Sequence, residues 1–163
     1  MVGFLLGALL ALADLGLRLV NVSSLLDSTL LVVLKIAALD SLPFGSRIGL
    51  IVLAPGLARW SIVLVATLFP YGRTSGLGAP LKAAATPRRL LVASAPPLLG
   101  CAVLGPIGVL SGAIAGLTAC AVGRWLVTLL PGLTGDCYGA VCEVVEAGVW
   151  LGGAIMLANI VAS

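Results

Sequence analysis

The apolar run IGVLSGAIAGLTACAVGRWLVTLL, residues 107–130, is long enough to cross a bilayer as one α-helix. The hydrocarbon core of a membrane needs about 20 consecutive apolar residues, and this run holds a single charged side chain, Arg124. Gly108, Gly112 and Gly116 recur at the four-residue spacing that lets membrane helices approach closely. The run therefore predicts a helix that packs among other helices in lipid.

The composition of the whole chain supports the same conclusion. Of its 163 residues, 61% are hydrophobic and 9% are charged, whereas soluble domains average about 45–50% apolar and about 25% charged residues. The net charge of +3 is small and spread along the chain, so it indicates no nucleic-acid surface. The composition excludes a cytosolic enzyme, a nucleic-acid module and a disordered chain.

The other apolar runs predict an all-α fold, a polytopic transmembrane bundle of about five or six helices. We expect it to form a single integral membrane domain over residues 1–163. In addition to 107–130, the predicted helices cover residues 2–20, 25–42, 47–69, 90–104 and 136–161. Residues 70–89 form the one long polar segment, and Pro96-Pro97 is expected to interrupt the short helix that follows it.

The basic residues predict the orientation in the membrane. Segment 70–89 carries four of them, and the positive-inside rule places such a loop in the cytoplasm. Counting helices from there puts the Gly-rich turn 131–136 on the same face, where it can meet the polar segment. We therefore expect a multi-pass protein of the cell inner (plasma) membrane whose active face is cytoplasmic.

Three of the six acidic residues, Asp136, Glu143 and Glu146, lie on the last predicted helix. Glu143 lies about 20° and Glu146 about 80° around the helix from Asp136, roughly 10 Å and 15 Å further along it. Carboxylates at that depth are costly unless they are paired, metal-bound or protonated. One interpretation is a divalent-cation or phosphate site, whose oxygen ligands suit Mg²⁺.

The structural alternative assigns the same carboxylates to folding. Asp136 would cap the last helix at its start. The two glutamates would pair with basic residues of other helices, Lys35 and Arg59, and so hold the bundle together.

The glycine loop, residues 70–78, is a second candidate site. Its glycines, Gly76 and Gly78 among them, free backbone N–H groups, and Arg73 with the following Lys82 adds positive charge. Such a segment can cradle phosphate, although an ordinary cytoplasmic linker has the same composition. The Walker A pattern G-x-x-x-x-G-K-[ST] is absent from the chain.

Residues 134–146 read T-G-D-x-x-G-A-x-x-E-x-x-E and resemble the C-terminal signature of cobalamin synthase, the adenosylcobinamide-GDP ribazoletransferase family. Three other segments resemble that family in the same order: Leu34–Leu39, Ala58–Trp60 and Pro70–Gly78. Together they extend over about residues 30–146.

The resemblance implies a multi-pass membrane transferase that uses Mg²⁺. Its substrates would be adenosylcobinamide-GDP and α-ribazole or its phosphate, and GMP would be the leaving group. The implied catalytic residues are Asp136 and Glu143, and the implied metal ligands are Asp136, Glu143 and Glu146. Glu146 would alternatively pair with a basic residue. The implied substrate and phosphate-binding residues are Arg73, Gly76, Gly78, Arg59 and Lys35.

The chain departs from the family pattern before Lys35. The family carries H-L-D-G-L-A-D-T-x-D-G and M-x-D-S-R-x-G segments there, whereas this chain passes from Val20 to Leu25 through Asn-Val-Ser-Ser. The resemblance therefore predicts that the N-terminal, Asp-rich half of the metal site is missing. It also predicts that the purified chain alone releases no GMP.

Two other functions are open from the sequence. In a small membrane transporter or channel subunit, the charged residues within the helices would line a polar path. Alternatively, the chain would be a non-catalytic partner in a cobalamin assembly complex. Membrane lipid is an expected partner and nucleic acid is not, and a homo-oligomer is left open.

Overall fold

The structure is a computed structural model, and it describes residues 32–38, 40, 44–73, 76 and 78–162. This part of the chain contains six helices: α1 (32–38), α2 (Phe44–Leu68), α3 (Ala79–Ala84), α4 (Pro87–Val103), α5 (Gly105–Leu129) and α6 (Gly135–Ala162). The predicted helix 2–20 lies outside the described residues, and the predicted helix 25–42 lies partly outside them. The all-α fold is confirmed.

Three of these helices are long and apolar enough to cross a membrane: Arg47–Leu68 in α2, Gly105–Leu129 in α5 and Gly135–Leu157 in α6. Large apolar side chains cover the outer surfaces of α2 and α5, where Val52 and Leu117 are each 73% exposed. Such surfaces are stable when lipid replaces water as the solvent. The structure thus agrees with the predicted polytopic bundle, while the extent of one domain over residues 1–163 stays a prediction.

Helix α6 packs against α5 and α2 at the centre of the bundle. The buried side of α5 consists mainly of small residues: Gly108, Ser111, Ala115, Ala119 and Gly123. Gly112 and Gly116 of the predicted glycine row are only partly buried. The reason is helical geometry: each of these glycines follows a residue of the buried row by one position, which turns it about 100° away from the contact face.

The polar segment 70–89 differs from the predicted loop because it contains α3 and the start of α4. Pro80 stands in the first turn of α3, where its missing N–H is not needed. Thr86 caps α4 by accepting a hydrogen bond from the Arg89 backbone N–H at 3.3 Å. Helix α4 also continues through Pro96 and Pro97, so the predicted interruption is wrong.

Lys82 links α3 to the end of α2. Its Nζ donates hydrogen bonds to the carbonyl oxygens of Ala66 and Phe69, each at 2.7 Å. Carbonyls at a helix C-terminus lack intrahelical partners, and a cation there also complements the helix dipole. Lys82 therefore anchors the loop, and its ammonium group is engaged in the fold rather than offered to phosphate.

Candidate functional site

The glycine loop pairs with the turn that precedes α6. The Gly72 N–H donates to the Leu133 carbonyl at 2.8 Å, and the Leu133 N–H donates to the Pro70 carbonyl at 2.9 Å. Tyr71 and Leu133 thereby form an isolated parallel β-bridge. The two segments meet, as the predicted topology allows, and we call this contact the loop junction.

Two glycines make the loop junction possible. A Cβ on Gly72 would lie 2.6 Å from the Gly132 carbonyl oxygen, and a Cβ on Gly132 would lie 2.6 Å from the Gly72 nitrogen. Backbone atoms cannot move aside as a side chain can, so any larger residue would push the two segments apart.

A cavity of about 580 Å³ lies between the glycine loop and the first turns of α6. Its polar side brings together residues of both motifs: Arg73, Gly76, Gly78, Gly135, Asp136 and Gly139. Ile62, Tyr71, Leu81 and Tyr138 complete its wall. Four of the residues singled out from the sequence, namely Arg73, Gly76, Gly78 and Asp136, therefore share one cavity.

The glycine loop fits closely against α6. Gly76 has a φ of +132°, a conformation that side chains rarely adopt. Gly78 is buried, and a Cβ there would lie 2.9 Å from the Tyr71 ring and 3.2 Å from the Gly135 nitrogen. The described part of the loop thus depends on glycine for both its conformation and its contact with the helix.

Asp136 is exposed in the first turn of α6. Thr134 precedes the helix and makes its initial contacts: its carbonyl accepts from the Tyr138 N–H at 3.1 Å, and its hydroxyl lies 3.5 Å from the Cys137 nitrogen. Thr134, rather than Asp136, therefore occupies the capping position, and the capping alternative is wrong. The Asp136 carboxylate forms no ion pair with any described residue and faces the cavity side.

Glu143 and Glu146 are held by a lysine of α1. Lys35 Nζ lies 2.8 Å from Glu143 Oε2 and 2.7 Å from Glu146 Oε2. The side chains of Lys35 and Glu146 are 19% and 18% exposed, and that of Glu143 is 40% exposed. The structure therefore shows the ion-pairing alternative for these glutamates, with Lys35 serving both, and none of the three lines the 580 Å³ cavity.

Arg59 lies at a different place. It borders an apolar cavity of about 780 Å³ between α2 and α4, and its Nη1 donates to the Pro55 carbonyl at 3.1 Å. The alternative in which Glu146 pairs with Arg59 is not what the described residues show, because Glu146 binds Lys35.

The carboxylates do not form one metal cage within the described part of the chain, where no group of three or more His, Cys, Asp or Glu side chains is placed to hold a metal ion. Asp136 is the one carboxylate among the described residues that line the cavity, while Glu143 and Glu146 are neutralised in part by Lys35. The carboxylates predicted to share one stripe of the helix thus lie in two environments: Asp136 at the cavity, and the two glutamates in ion pairs with Lys35.

Two tyrosines at the cavity were not among the site residues predicted from the sequence. Tyr71 and Tyr138 stack with ring centroids 6.2 Å apart and an angle of 25° between the planes. Tyr138 is 3% exposed, and its hydroxyl has no hydrogen-bond partner among the described residues. The available signal was position, since each tyrosine lies within one of the two polar motifs.

Replacing Tyr138 with phenylalanine will raise the free energy of unfolding by about 1 kcal/mol, because it removes a buried donor that has no partner among the described residues. Thermal unfolding of the purified protein in detergent measures the change. Tyr138→Leu is the control, and its loss of the stacked ring should lower stability instead. A large loss of stability in Tyr138→Phe would show that the hydroxyl has a structural partner.

Comparisons with known proteins agree with these motifs. The sequence pattern of the family described as Cobalamin-5-phosphate synthase matches residues 23–154. An adenosylcobinamide-GDP ribazoletransferase of Stutzerimonas stutzeri is 34% identical over 128 residues, which are 78% of this chain and 52% of that protein. One of Desulforamulus reducens is 38% identical over 122 residues, 71% of this chain and 47% of that protein.

The chain spans about half the length of the curated relatives it matches. No solved structure matches it significantly. The matched range includes Lys35, the glycine loop, Asp136 and both glutamates. By the extent of these matches, the chain belongs to the cobalamin-5-phosphate synthase family.

Proposed function

We propose that this chain binds the pyrophosphate of adenosylcobinamide-GDP in the 580 Å³ cavity and belongs to a membrane transferase that joins this corrinoid to α-ribazole or its phosphate. The observation that carries the proposal is the loop junction, which brings Arg73 and the glycines of the loop beside Asp136. The named relatives, which are ribazoletransferases, support the choice of reaction.

The chemistry proposed is phosphoryl transfer. A ribazole hydroxyl attacks the phosphorus on the corrinoid side of the pyrophosphate, an O–P bond forms, and the pyrophosphate bond breaks to release GMP. Such reactions depend on positioning and on charge neutralisation more than on covalent catalysis. Arg73 is exposed at the cavity and supplies two-pronged hydrogen bonding suited to phosphate oxygens, and Gly76 and Gly78 line the same cavity.

The residues at the cavity fit Mg²⁺ in one respect. This ion is commonly bound by one or two carboxylates together with substrate phosphates, and Asp136 offers one carboxylate that is free of ion pairs among the described residues. We therefore propose Asp136 as the ligand from this chain, where the ion would neutralise phosphate charge. Glu143 and Glu146 fit this role less well because Lys35 already binds both carboxylates.

The proposal also covers the membrane in which the protein lies and its orientation there. The four basic residues of segment 70–89 lie at the end of the bundle that carries the cavity. The positive-inside rule then favours the inner membrane with the cavity open to the cytoplasm. Three helices suited to crossing a membrane support a membrane protein in general.

The transporter alternative has less support. Lys35, Glu143 and Glu146 are joined to one another, and none of the three lines either of the two cavities described above. Family membership also favours the transferase. A non-catalytic partner would also bind the corrinoid substrate without turning it over, and GMP release that depends on Asp136 in the assay below would exclude this alternative.

Replacing Asp136 with asparagine will weaken Mg²⁺-dependent binding of adenosylcobinamide-GDP by about tenfold or more, because a neutral amide is a far weaker ligand for a hard cation. Titration calorimetry in detergent, with and without Mg²⁺, measures the effect. Asp40→Asn is the matched control, since Asp40 lies outside the cavity.

GMP release completes the test. Given adenosylcobinamide-GDP, α-ribazole and Mg²⁺, the isolated chain should bind the corrinoid without releasing GMP. Turnover that disappears in Asp136→Asn would refute the expected inactivity and show that the cavity suffices for catalysis. Equal affinity in Asp136→Asn and the unmodified protein would refute the metal proposal.

A further inference from the structure

The cavity has an aromatic wall that phosphate binding does not require. Tyr71 lines the cavity and is partly exposed, and the almost fully buried Tyr138 stacks on it. Arg73, a phosphate-binding candidate, lies two residues beyond Tyr71 in the same wall. The cavity thus combines a charged part and an aromatic part within one volume of about 580 Å³, a size typical of small-molecule sites.

The Tyr71 ring is held in place without a ligand. Its backbone belongs to the β-bridge with Leu133. Its hydroxyl end lies against the glycine loop, since a Cβ on Gly76 or Gly78 would be 3.2 Å or 3.0 Å from the Tyr71 oxygen. Tyr138 stacks on the ring and so supports it. A group fixed in advance loses little freedom when a ligand binds, which favours affinity.

The Tyr138 side chain contributes its ring rather than its hydroxyl, because that hydroxyl is buried and has no hydrogen-bond partner within the described residues. A polar group kept in this state costs stability, so its ring must be what the position requires. The buried Tyr138 ring therefore supports the partly exposed Tyr71 ring, and we call this stacked pair the aromatic platform.

We propose that the aromatic platform holds the flat heteroaromatic ring of a nucleotide-type ligand whose phosphate lies at Arg73. This inference rests on the proposed function, in which both substrates carry such a ring: guanine in adenosylcobinamide-GDP and benzimidazole in α-ribazole. Bases stack on aromatic side chains with little regard to their hydrogen-bonding edges. Loss of one stacked base weakens binding by roughly tenfold to hundredfold.

The test compares ligands that share sugar and phosphate and differ in the ring. GMP, α-ribazole 5′-phosphate and ribose 5-phosphate are titrated into the purified protein in detergent. At least one ring-bearing ligand should bind about tenfold more tightly than ribose 5-phosphate, and the one that does identifies the ring. This comparison uses the unmodified protein, so it does not depend on the folding of a variant.

Variants then test whether Tyr71 causes the preference for a ring-bearing ligand. Tyr71→Leu should remove this preference, and Tyr71→Phe, which keeps an aromatic ring, should retain it. Trp125→Leu is the matched control, because Trp125 is 39% exposed on α5 and lies outside the cavity. Persistence of the full preference in a folded Tyr71→Leu protein would overturn the inference.

The proposed function is tested separately in the same series. If adenosylcobinamide-GDP binds but neither ring-bearing ligand exceeds ribose 5-phosphate in affinity, the aromatic platform is refuted and the phosphate site stands. If adenosylcobinamide-GDP and all three smaller ligands fail to bind, the proposed function is refuted together with the inference.

Discussion

Replacing Gly72 with alanine will disconnect the glycine loop from α6 and abolish binding of adenosylcobinamide-GDP. The added Cβ would lie 2.6 Å from the Gly132 carbonyl oxygen and 2.9 Å from its carbonyl carbon. Both are backbone atoms, so the loop junction must open to admit the methyl group. We expect the free energy of unfolding to fall by about 3 kcal/mol, the upper part of the range for overpacked sites.

Alanine substitutions at two other glycines test whether the clash at the loop junction causes the loss of stability and of ligand binding. Gly132→Ala meets the same obstacle from the other side and should behave alike. Gly56→Ala is the control, because a Cβ there meets nothing within 4 Å. Thermal unfolding measures the stability of each variant, and ligand titration measures its affinity for adenosylcobinamide-GDP. Normal ligand affinity in Gly72→Ala would contradict the view that the junction builds the site.

Replacing Lys35 with methionine will destabilise the bundle by about 3 kcal/mol, because two carboxylates lose their common partner. Glu146 is the more affected, since its side chain is 18% exposed, whereas Glu143 at 40% retains more access to solvent or lipid headgroups. Charged groups without partners at membrane depth are costly. Unfolding in detergent measures the loss.

Removing the two carboxylates that lose Lys35 as their partner should restore the stability of Lys35→Met. Adding Glu143→Gln and Glu146→Gln to Lys35→Met should recover most of the lost stability, because neutral amides are far cheaper to bury than carboxylates. Arg88→Met, which removes an exposed basic side chain, is the matched control and should be nearly neutral. Full stability of Lys35→Met by itself would show that the ion pairs do not hold the bundle.

The sequence predicted the long helices well because lipid imposes a simple requirement. Apolar runs 47–69, 107–130 and 136–161 became Phe44–Leu68, Gly105–Leu129 and Gly135–Ala162. Counting helices from the basic segment then placed the glycine loop and the turn before α6 on one face, where they can meet. The short helix Ala79–Ala84 was missed because six residues in a polar segment carry no periodic signal.

The site was predictable in part. The motifs predicted Arg73 and Asp136 as site residues, and the two residues do share a cavity. Helical periodicity placed both glutamates near Asp136, but it could not reveal that a lysine more than a hundred residues away in sequence binds both of them. The Tyr71–Tyr138 stack could not be predicted either, because it also depends on a tertiary contact between residues that are far apart in sequence.

Titration of adenosylcobinamide-GDP into the purified protein and its Arg73→Gln variant examines the proposed phosphate site itself. Arg73 is at the cavity, whereas Arg88 lies outside it, so Arg88→Gln is the matched control. Loss of a charge-assisted hydrogen bond to phosphate should raise the Kd by about tenfold or more in Arg73→Gln, with no change in the control. Equal affinity in Arg73→Gln and the unmodified protein, or no binding by either, would contradict a phosphate site in this cavity.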